Sequence, residues 1–329
     1  MDYSAFLETL SGCYQVAVLS HVKPDGDCIG SQVALCRWLS ARGVECTAFN
    51  EDPVPSNLLW LTKDVPILPL QQDSLAGFDA AVFCDGNSLA RFSRDERSVF
   101  GLYDLTSVMI DHHPDPKDEF TLAYSDPERS STCEMVADLV HQLDPGSLDV
   151  PASKALYTGM LTDTGSFQFE SVGPGTLEVA ARMLRVGGFR PSEIVDLVFS
   201  AKSPASVRLL GELLNQARLY ENDRVAVMSL SYDVFQIYEE QGEIDTDGFV
   251  NELLQMQGVK AAIFFRESSP GVVKLSLRSK KDVDVNQWAR RLNGGGHVRA
   301  AGAVLEASLE EAVETTLRVG RYMFADAFR

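Results

Sequence analysis

The 329-residue chain is poor in positive charge: 29 Lys and Arg stand against 47 Asp and Glu, a net charge of −18. Tight binding to long DNA or RNA depends on a basic surface that releases counterions from phosphates. The acidic balance argues against that class, but not against a small phosphorylated ligand held through metal ions. No apolar run approaches the roughly 20 residues of a membrane-spanning helix. The opening MDYSAFLETLSG lacks the basic and apolar regions of a secretory signal, so none is expected. The six cysteines, Cys13, Cys28, Cys36, Cys46, Cys84 and Cys133, include no CxxC pair. Zinc-ribbon and thioredoxin-type spacings are thereby absent, and buried thiols in a reducing cytoplasm are expected. Internal repeats and low-complexity tracts are missing too.

What is present is an ordinary globular composition, 45% hydrophobic and 23% charged, in a chain long enough for about two domains of roughly 150 residues. The first half alternates strand and helix patterns. QVAVLS, VECTAFN, DAAVFCD and SVMIDHH are short apolar strands; CIGSQVALCRWLSARG, SSTCEMVADLVHQLD and PASKALYTGMLTDTG are helical. Continuous apolar strands alternating with helices predict an α/β domain with a doubly wound, mainly parallel sheet. A smaller α/β domain follows, with strands in RVAVMSLS, VKAAIFFRES and GVVKLSLRS. The expected division is 1–186 and 213–329, joined by a helical linker at 187–212 broken at Pro204.

Acidic groups gather where the apolar strands end. HVKPDGDCIG places His21, Asp25 and Asp27 directly after the first strand; Asp85 closes DAAVFCD; Asp111, His112 and His113 close SVMIDHH; Asp163 follows the apolar part of a helix. Taken singly, Asp and Gly at a strand end describe a plain turn, and a lone histidine is more often structural. Jointly they point elsewhere, because a parallel sheet brings its ligand-binding loops to the carboxyl ends of its strands. Carboxylates packed together repel one another, and a cation reverses that repulsion. Imidazole with carboxylate suits Mn²⁺, Fe²⁺ or Zn²⁺.

In that order, HVKPDGDCIGS, FCDGNS, IDHH and LTDTGSF resemble the four motifs of the DHH phosphoesterase superfamily, and NGGGHVRAAG resembles the glycine-rich motif of its DHH-associated C-terminal domain. Gly86 in DGNS is a mild departure, since Thr, Cys or Ser is the commoner residue there. The two-domain layout is most similar to the nano-RNase/pAp phosphatase group. The resemblance implies two divalent metal ions, usually Mn²⁺. His21 and Asp25 would hold the first, and Asp27, His112 and Asp163 the second, with Asp85 bridging the pair. It also implies His113 at the phosphate or leaving group rather than at a metal, and Asp111 orienting one of the metal ligands from behind.

Two further motifs carry a bland and a functional reading each. RSSTCEM contains a capping box, Ser131 before Glu134; the same helix start also suits an anion, with Arg129 at a phosphate. NGGGHVRAAG reads as a helix C-cap, or as backbone N–H groups of Gly294, Gly295 and Gly296 approaching a phosphate. His297 and Arg278 stand beside it, amid Lys280, Lys281, Arg290, Arg291 and Arg299. The expected function is a cytoplasmic hydrolase acting on short RNA, and on 3′-phosphoadenosine 5′-phosphate (pAp). Rival readings are a cyclic-di-AMP or pApA phosphodiesterase, an inorganic pyrophosphatase or exopolyphosphatase, and a non-catalytic nucleotide sensor. Neither long nucleic acid nor membrane is an expected partner, and a homodimer is left open.

Overall fold

The structure, a computed structural model, describes residues 1–95, 105–199 and 202–328. The chain divides into two compact units, Met1–Ala201 and Lys202–Arg329. Within the segment 187–212, one described helix lies in each unit.

In the first unit the described elements are α1 (Ala5–Thr9), β1 (Gln15–Ser20), α2 (Gly26–Ala41), β2 (Glu45–Asn50), β3 (Ile67–Pro69), β4 (Ala80–Cys84), β5 (Thr106–Asp111), β6 (Leu122–Ser125), α3 (Thr132–Leu143), α4 (Val150–Asp163), α5 (Pro174–Gly187) and α6 (Pro191–Phe199). The six strands form one sheet in the order β3-β2-β1-β4-β5-β6, every pairing parallel. The doubly wound expectation is met: Val16 and Val18 of β1 join one core cluster, while Ala17 and Leu19 join another. Both faces of the strand are therefore buried, which is why it reads as an unbroken apolar run. From β1 the chain first builds outward through β2 and β3, then returns to build β4, β5 and β6 on the other side. The order reverses between β1 and β4, and there the loops at the strand ends diverge and leave room for a ligand.

Helix α2 begins in the HVKPDGDCIG motif and is buried along most of its length. Its packing on α4 depends on absent side chains. A Cβ on Gly26 would lie 2.3 Å from Thr162 Oγ1, and one on Gly30 would lie 2.4 Å from the Ala155 carbonyl oxygen. From the facing helix, a Cβ on Gly159 would lie 2.9 Å from Asp27 Oδ1 of α2, and 2.2 Å from Cys133 Sγ of α3. Glycines on both helices thus bring the start of α2 against the end of α4, where Asp163 sits.

The second unit has α7 (Pro204–Gln216), β7 (Arg218–Tyr220), β8 (Val225–Leu230), α8 (Tyr232–Glu239), α9 (Phe249–Leu254), β9 (Ala261–Ser269), β10 (Val272–Ser279), α10 (Val285–Arg290), β11 (Gly295–Gly296), β12 (Ala300–Glu306) and α11 (Leu309–Met323). Its sheet runs β11-β12-β10-β9-β8-β7, antiparallel except for the β8–β9 pair. Along β10, Val273, Leu275 and Leu277 face the core, and Lys274, Ser276 and Arg278 alternate with them toward the other face.

Candidate metal centre

The four motifs converge at the switch point. His21 follows β1, Asp85 follows β4, Asp111 ends β5 with His112 and His113 after it, and Asp163 ends α4. Asp85 is the hub. His21 Nε2 lies 3.5 Å from Asp85 Oδ2, and His112 Nε2 lies 3.6 Å from Asp85 Oδ1. His113 Nδ1 lies 3.5 Å from that same Oδ1. His112 Nε2 is also 3.3 Å from Asp163 Oδ2 and 3.9 Å from Asp27 Oδ2. Potential donor atoms of His21, Asp25, Cys28 and Asp85 all lie within 4.8 Å of one another, as do those of Asp27, Asp85 and His112.

The hydrogen bonds behind the site fix what it presents. His21 Nδ1 is 2.9 Å from the Val22 carbonyl, and His112 Nδ1 is 3.2 Å from the Arg129 carbonyl. A carbonyl only accepts, so each Nδ1 carries the proton and each Nε2 turns its lone pair toward carboxylate oxygens. Lone pair facing lone pair at these distances requires a proton or a metal ion between them. The donor set, imidazole nitrogen with carboxylate oxygen and a carbonyl behind each imidazole, fits a divalent cation.

Asp27 is fully buried, and its carboxylate accepts from the backbone N–H groups of Thr132 at 2.6 Å and Cys133 at 2.8 Å. These are the first N–H groups of α3, which its own helix leaves unbonded. Ser131 caps that helix by accepting from Glu134 N, while Glu134 reaches back to Ser130 rather than to Ser131. The cap is therefore half the expected box, and the anion at this helix start is Asp27 itself. The Arg129 guanidinium is engaged by Glu134 and Asp138, each at 2.8 Å, and by Asp126 at 3.5 Å. In this unit Arg129 reaches the site through its carbonyl, which orients His112.

Asp85 adopts a left-handed backbone, φ 65°, a region open mainly to Gly, Asn and Asp. Cys28 Sγ is 3.3 Å from its Oδ2, and Thr132 Oγ1 donates to its Oδ1 at 3.2 Å. The departure at Gly86 has a packing cause: a Cβ there would lie 2.6 Å from the ring of Phe92. Beyond Asp163 the chain leaves α4 through three left-handed residues, 165–167.

Burial acts to raise Asp85, but the imidazoles of His113, His21 and His112, with Arg91 beyond them, outweigh it and hold this carboxyl well below the usual range. Burial, then Asp85 and Asp163, push Asp27 far up. Burial and Asp85 push Asp111 up to about 7. Burial opposes the charged form of His112, yet Asp85, Asp27 and Asp111 raise it.

His113 differs from the other two imidazoles. Its Nδ1 is 2.7 Å from Asp111 Oδ1, and its backbone N–H donates to Asp111 Oδ2. Its Nε2 faces Arg91 Nη2 at 3.2 Å. Arg91 is a site residue that the sequence reading passes over. It lies six positions past Asp85, in DGNSLARF, outside any motif quoted above.

In the second unit, Arg278 of β10 pairs in register with Ala300, and Ala300 exchanges backbone hydrogen bonds with His297. The unit's fold thus brings Arg278 and the glycine-rich turn together. Two of the three glycines have packing reasons. A Cβ on Gly294 would lie 2.1 Å from the Gly302 carbonyl oxygen; Gly296 has φ 141° and would meet the Ala300 carbonyl oxygen at 2.5 Å. Gly295 has only Asn286 Oδ1, at 4.0 Å, near its missing Cβ. Arg278, Lys274 and Arg266 also line an open pocket of about 160 Å³ in this unit.

Two family models match the chain: the DHH family, N-terminal domain, over 15–162, ending one residue before Asp163, and the DHHA1 domain over 222–319. The chain belongs to the DHH family, as its four motifs indicate. It is 32% identical to the bifunctional oligoribonuclease and PAP phosphatase NrnA of Thermus thermophilus, over 93% of this chain and 89% of that protein. It is 25% identical to the cyclic-di-AMP phosphodiesterase GdpP of Geobacillus thermodenitrificans, over 96% of this chain but 50% of that longer protein. Among solved structures, an exopolyphosphatase-related protein from Bacteroides fragilis superposes with a TM-score of 0.91 at 27% identity, covering 99% of this chain and 97% of that one. Among the described residues, no helix is long and apolar enough to cross a membrane.

Proposed function

We propose that the protein is a phosphoesterase with two divalent metal ions, Mn²⁺ by preference, that hydrolyses short oligoribonucleotides and pAp in the cytoplasm. One observation carries this reading: His21 and His112 turn imidazole lone pairs toward Asp85, and His112 in turn toward Asp163 and Asp27, so donors from all four motifs lie in one run of contacts. His21 and Asp25 hold one ion, Asp27, His112 and Asp163 the other, and Asp85 both. When bound, such ions lower the pKa of water and neutralise phosphoryl charge, so no covalent enzyme intermediate is needed.

The remaining residues set geometry. The start of α3 holds the Asp27 carboxylate, and the Val22 and Arg129 carbonyls hold two imidazoles in the tautomer that leaves Nε2 free to ligate. Asp111 fixes Nδ1–H of His113, so that His113 Nε2 meets the phosphoryl or leaving-group oxygen. Arg278 and the Gly294–His297 turn bind the nucleotide. The acidic composition favours short substrates over long strands. The likeness to NrnA spans both proteins, whereas that to GdpP spans half of the relative, which favours oligoribonucleotides over cyclic-di-AMP.

The test is a Mn²⁺-supplemented substrate panel of pAp, pApA, cyclic-di-AMP, RNA of graded length, and pyrophosphate. Turnover is expected on pAp and on RNA of a few nucleotides, falling as the RNA lengthens. Preferred turnover of cyclic-di-AMP or pyrophosphate would replace this reading with one of its rivals.

A further inference from the structure

Arg91 is placed with care and left unused by the roles above. Its backbone is held between two motif loops: its carbonyl accepts from Val22 N at 2.8 Å, and its N–H donates to the Ser88 carbonyl at 3.0 Å. The next residue, Phe92, is buried, edge-on to Phe83 at 4.9 Å between ring centroids, and closes over Gly86. The missing side chain at Gly86 therefore lets the turn that carries Arg91 sit down on the end of β4. Its side chain then reaches the metal centre, with Nη2 3.2 Å from His113 Nε2.

Other arginines of this unit, Arg37, Arg42, Arg94, Arg129 and Arg182, sit on carboxylates. Arg91 makes no ion pair within 4.0 Å among the described residues, though it is close enough to influence both Asp85 and Asp111. A guanidinium offers five N–H donors in a planar fork. An imidazole nitrogen uses one, leaving a half-buried cation with donors to spare beside the group proposed to face the phosphoryl oxygens. An anionic ester entering a site lined by carboxylates needs such a cation, and the fork matches two phosphoryl oxygens at once.

We infer that Arg91 is a phosphate-binding residue of the catalytic unit, donating to non-bridging oxygens of the scissile phosphate next to His113. This rests on the phosphoesterase reading above. Binding transfers N–H donors from the imidazole to the phosphate, which frees His113 Nε2 to face the leaving oxygen.

The experiment is calorimetric binding of inorganic phosphate to the full chain loaded with Mn²⁺, for the native protein, Arg91→Met and Arg91→Lys, with Mn²⁺ affinity and melting temperature measured alongside. Met keeps an unbranched apolar side chain without charge or donors; Lys keeps the charge without the fork. Phosphate affinity is expected to fall roughly ten- to hundredfold in Arg91→Met, the loss of a charge-assisted hydrogen bond, and less in Arg91→Lys. Mn²⁺ affinity and melting temperature are expected to stay unchanged. Unchanged phosphate affinity in Arg91→Met would overturn the inference. So would a parallel loss of Mn²⁺ affinity, because Arg91 would then be a prop for the His loop. If the native protein itself bound no Mn²⁺, the phosphoesterase reading would fail first; native metal binding with indifferent variants would sink the role of Arg91 alone.

Discussion

Asp85→Asn should remove most of the stabilisation that Mn²⁺ confers on the first unit. The choice of Asn follows from the backbone. Asp85 sits at φ 65°, where Asn is tolerated and Ala costs about 1–2 kcal/mol, so Ala would mix strain with loss of a ligand. Asn still accepts from Cys28 or Thr132 on one side, but it gives up the attraction to three imidazoles that holds Asp85 ionised, so the metal-free variant should melt below the native protein and the gain on adding Mn²⁺ is read within each protein. A ligand present at a hundredfold excess over its dissociation constant stabilises by about 2.7 kcal/mol. Two sites sharing Asp85 would together contribute about 5 kcal/mol. At about 2–4 °C per kcal/mol for a unit of this size, native protein should gain roughly 10–20 °C on adding Mn²⁺. Asp25→Asn and Asp163→Asn, each removing a ligand from one ion, should keep about half of that gain, and Asp85→Asn at most a few degrees. Scanning calorimetry with and without Mn²⁺ measures all four proteins. An Asp85→Asn protein with the full native gain would refute the shared-ligand argument.

Three further outcomes are expected. Gly159→Ala places a methyl 2.2 Å from Cys133 Sγ and 2.9 Å from Asp27 Oδ1; overpacking should cost about 1–3 kcal/mol and weaken Mn²⁺ binding too, whereas Gly211→Ala, in a helix with nothing within 4 Å, should stabilise by roughly 0.5–1 kcal/mol. Equal effects in thermal melts would contradict the close helix contact. Because Asp27 and His112 are both raised without metal, Mn²⁺ binding should release protons and tighten as pH rises; calorimetric heats that do not depend on the buffer's ionisation enthalpy would rule that out. Arg278→Ala should lower kcat/KM on a dinucleotide roughly ten- to hundredfold while sparing bis-p-nitrophenyl phosphate, and an equal loss on both substrates would remove its role in nucleotide recognition.

The four central strands of the first unit are legible in the sequence: β1, β4 and β5 are buried over most of their length and read as apolar runs, two of them with an Asp at the end, while β2, buried only in its second half, leaves a shorter run. The edge strands β3 and β6, three and four residues long, carry no such run and go unread. In the second unit β12 hides behind small residues, AAGAVLE, whose smallness reflects close backbone approach rather than a turn. The acidic knot in HVKPDGDCIG is legible as a cluster of metal-type donors because the residue types are local to each motif. The service of the α3 start to Asp27 is not, since a cap and an anion site look alike until the folded chain shows which anion arrives. Arg91 is invisible for a similar reason: nothing in its neighbours along the chain says that the turn at Phe92 will aim it at His113.

The most direct test of the account is the position of Mn²⁺ in crystals, located by anomalous scattering. The account predicts two ions that share the Asp85 carboxylate, one flanked by His21 and Asp25 and the other by Asp27, His112 and Asp163. A single ion, or two ions neither of which touches Asp85, would contradict it.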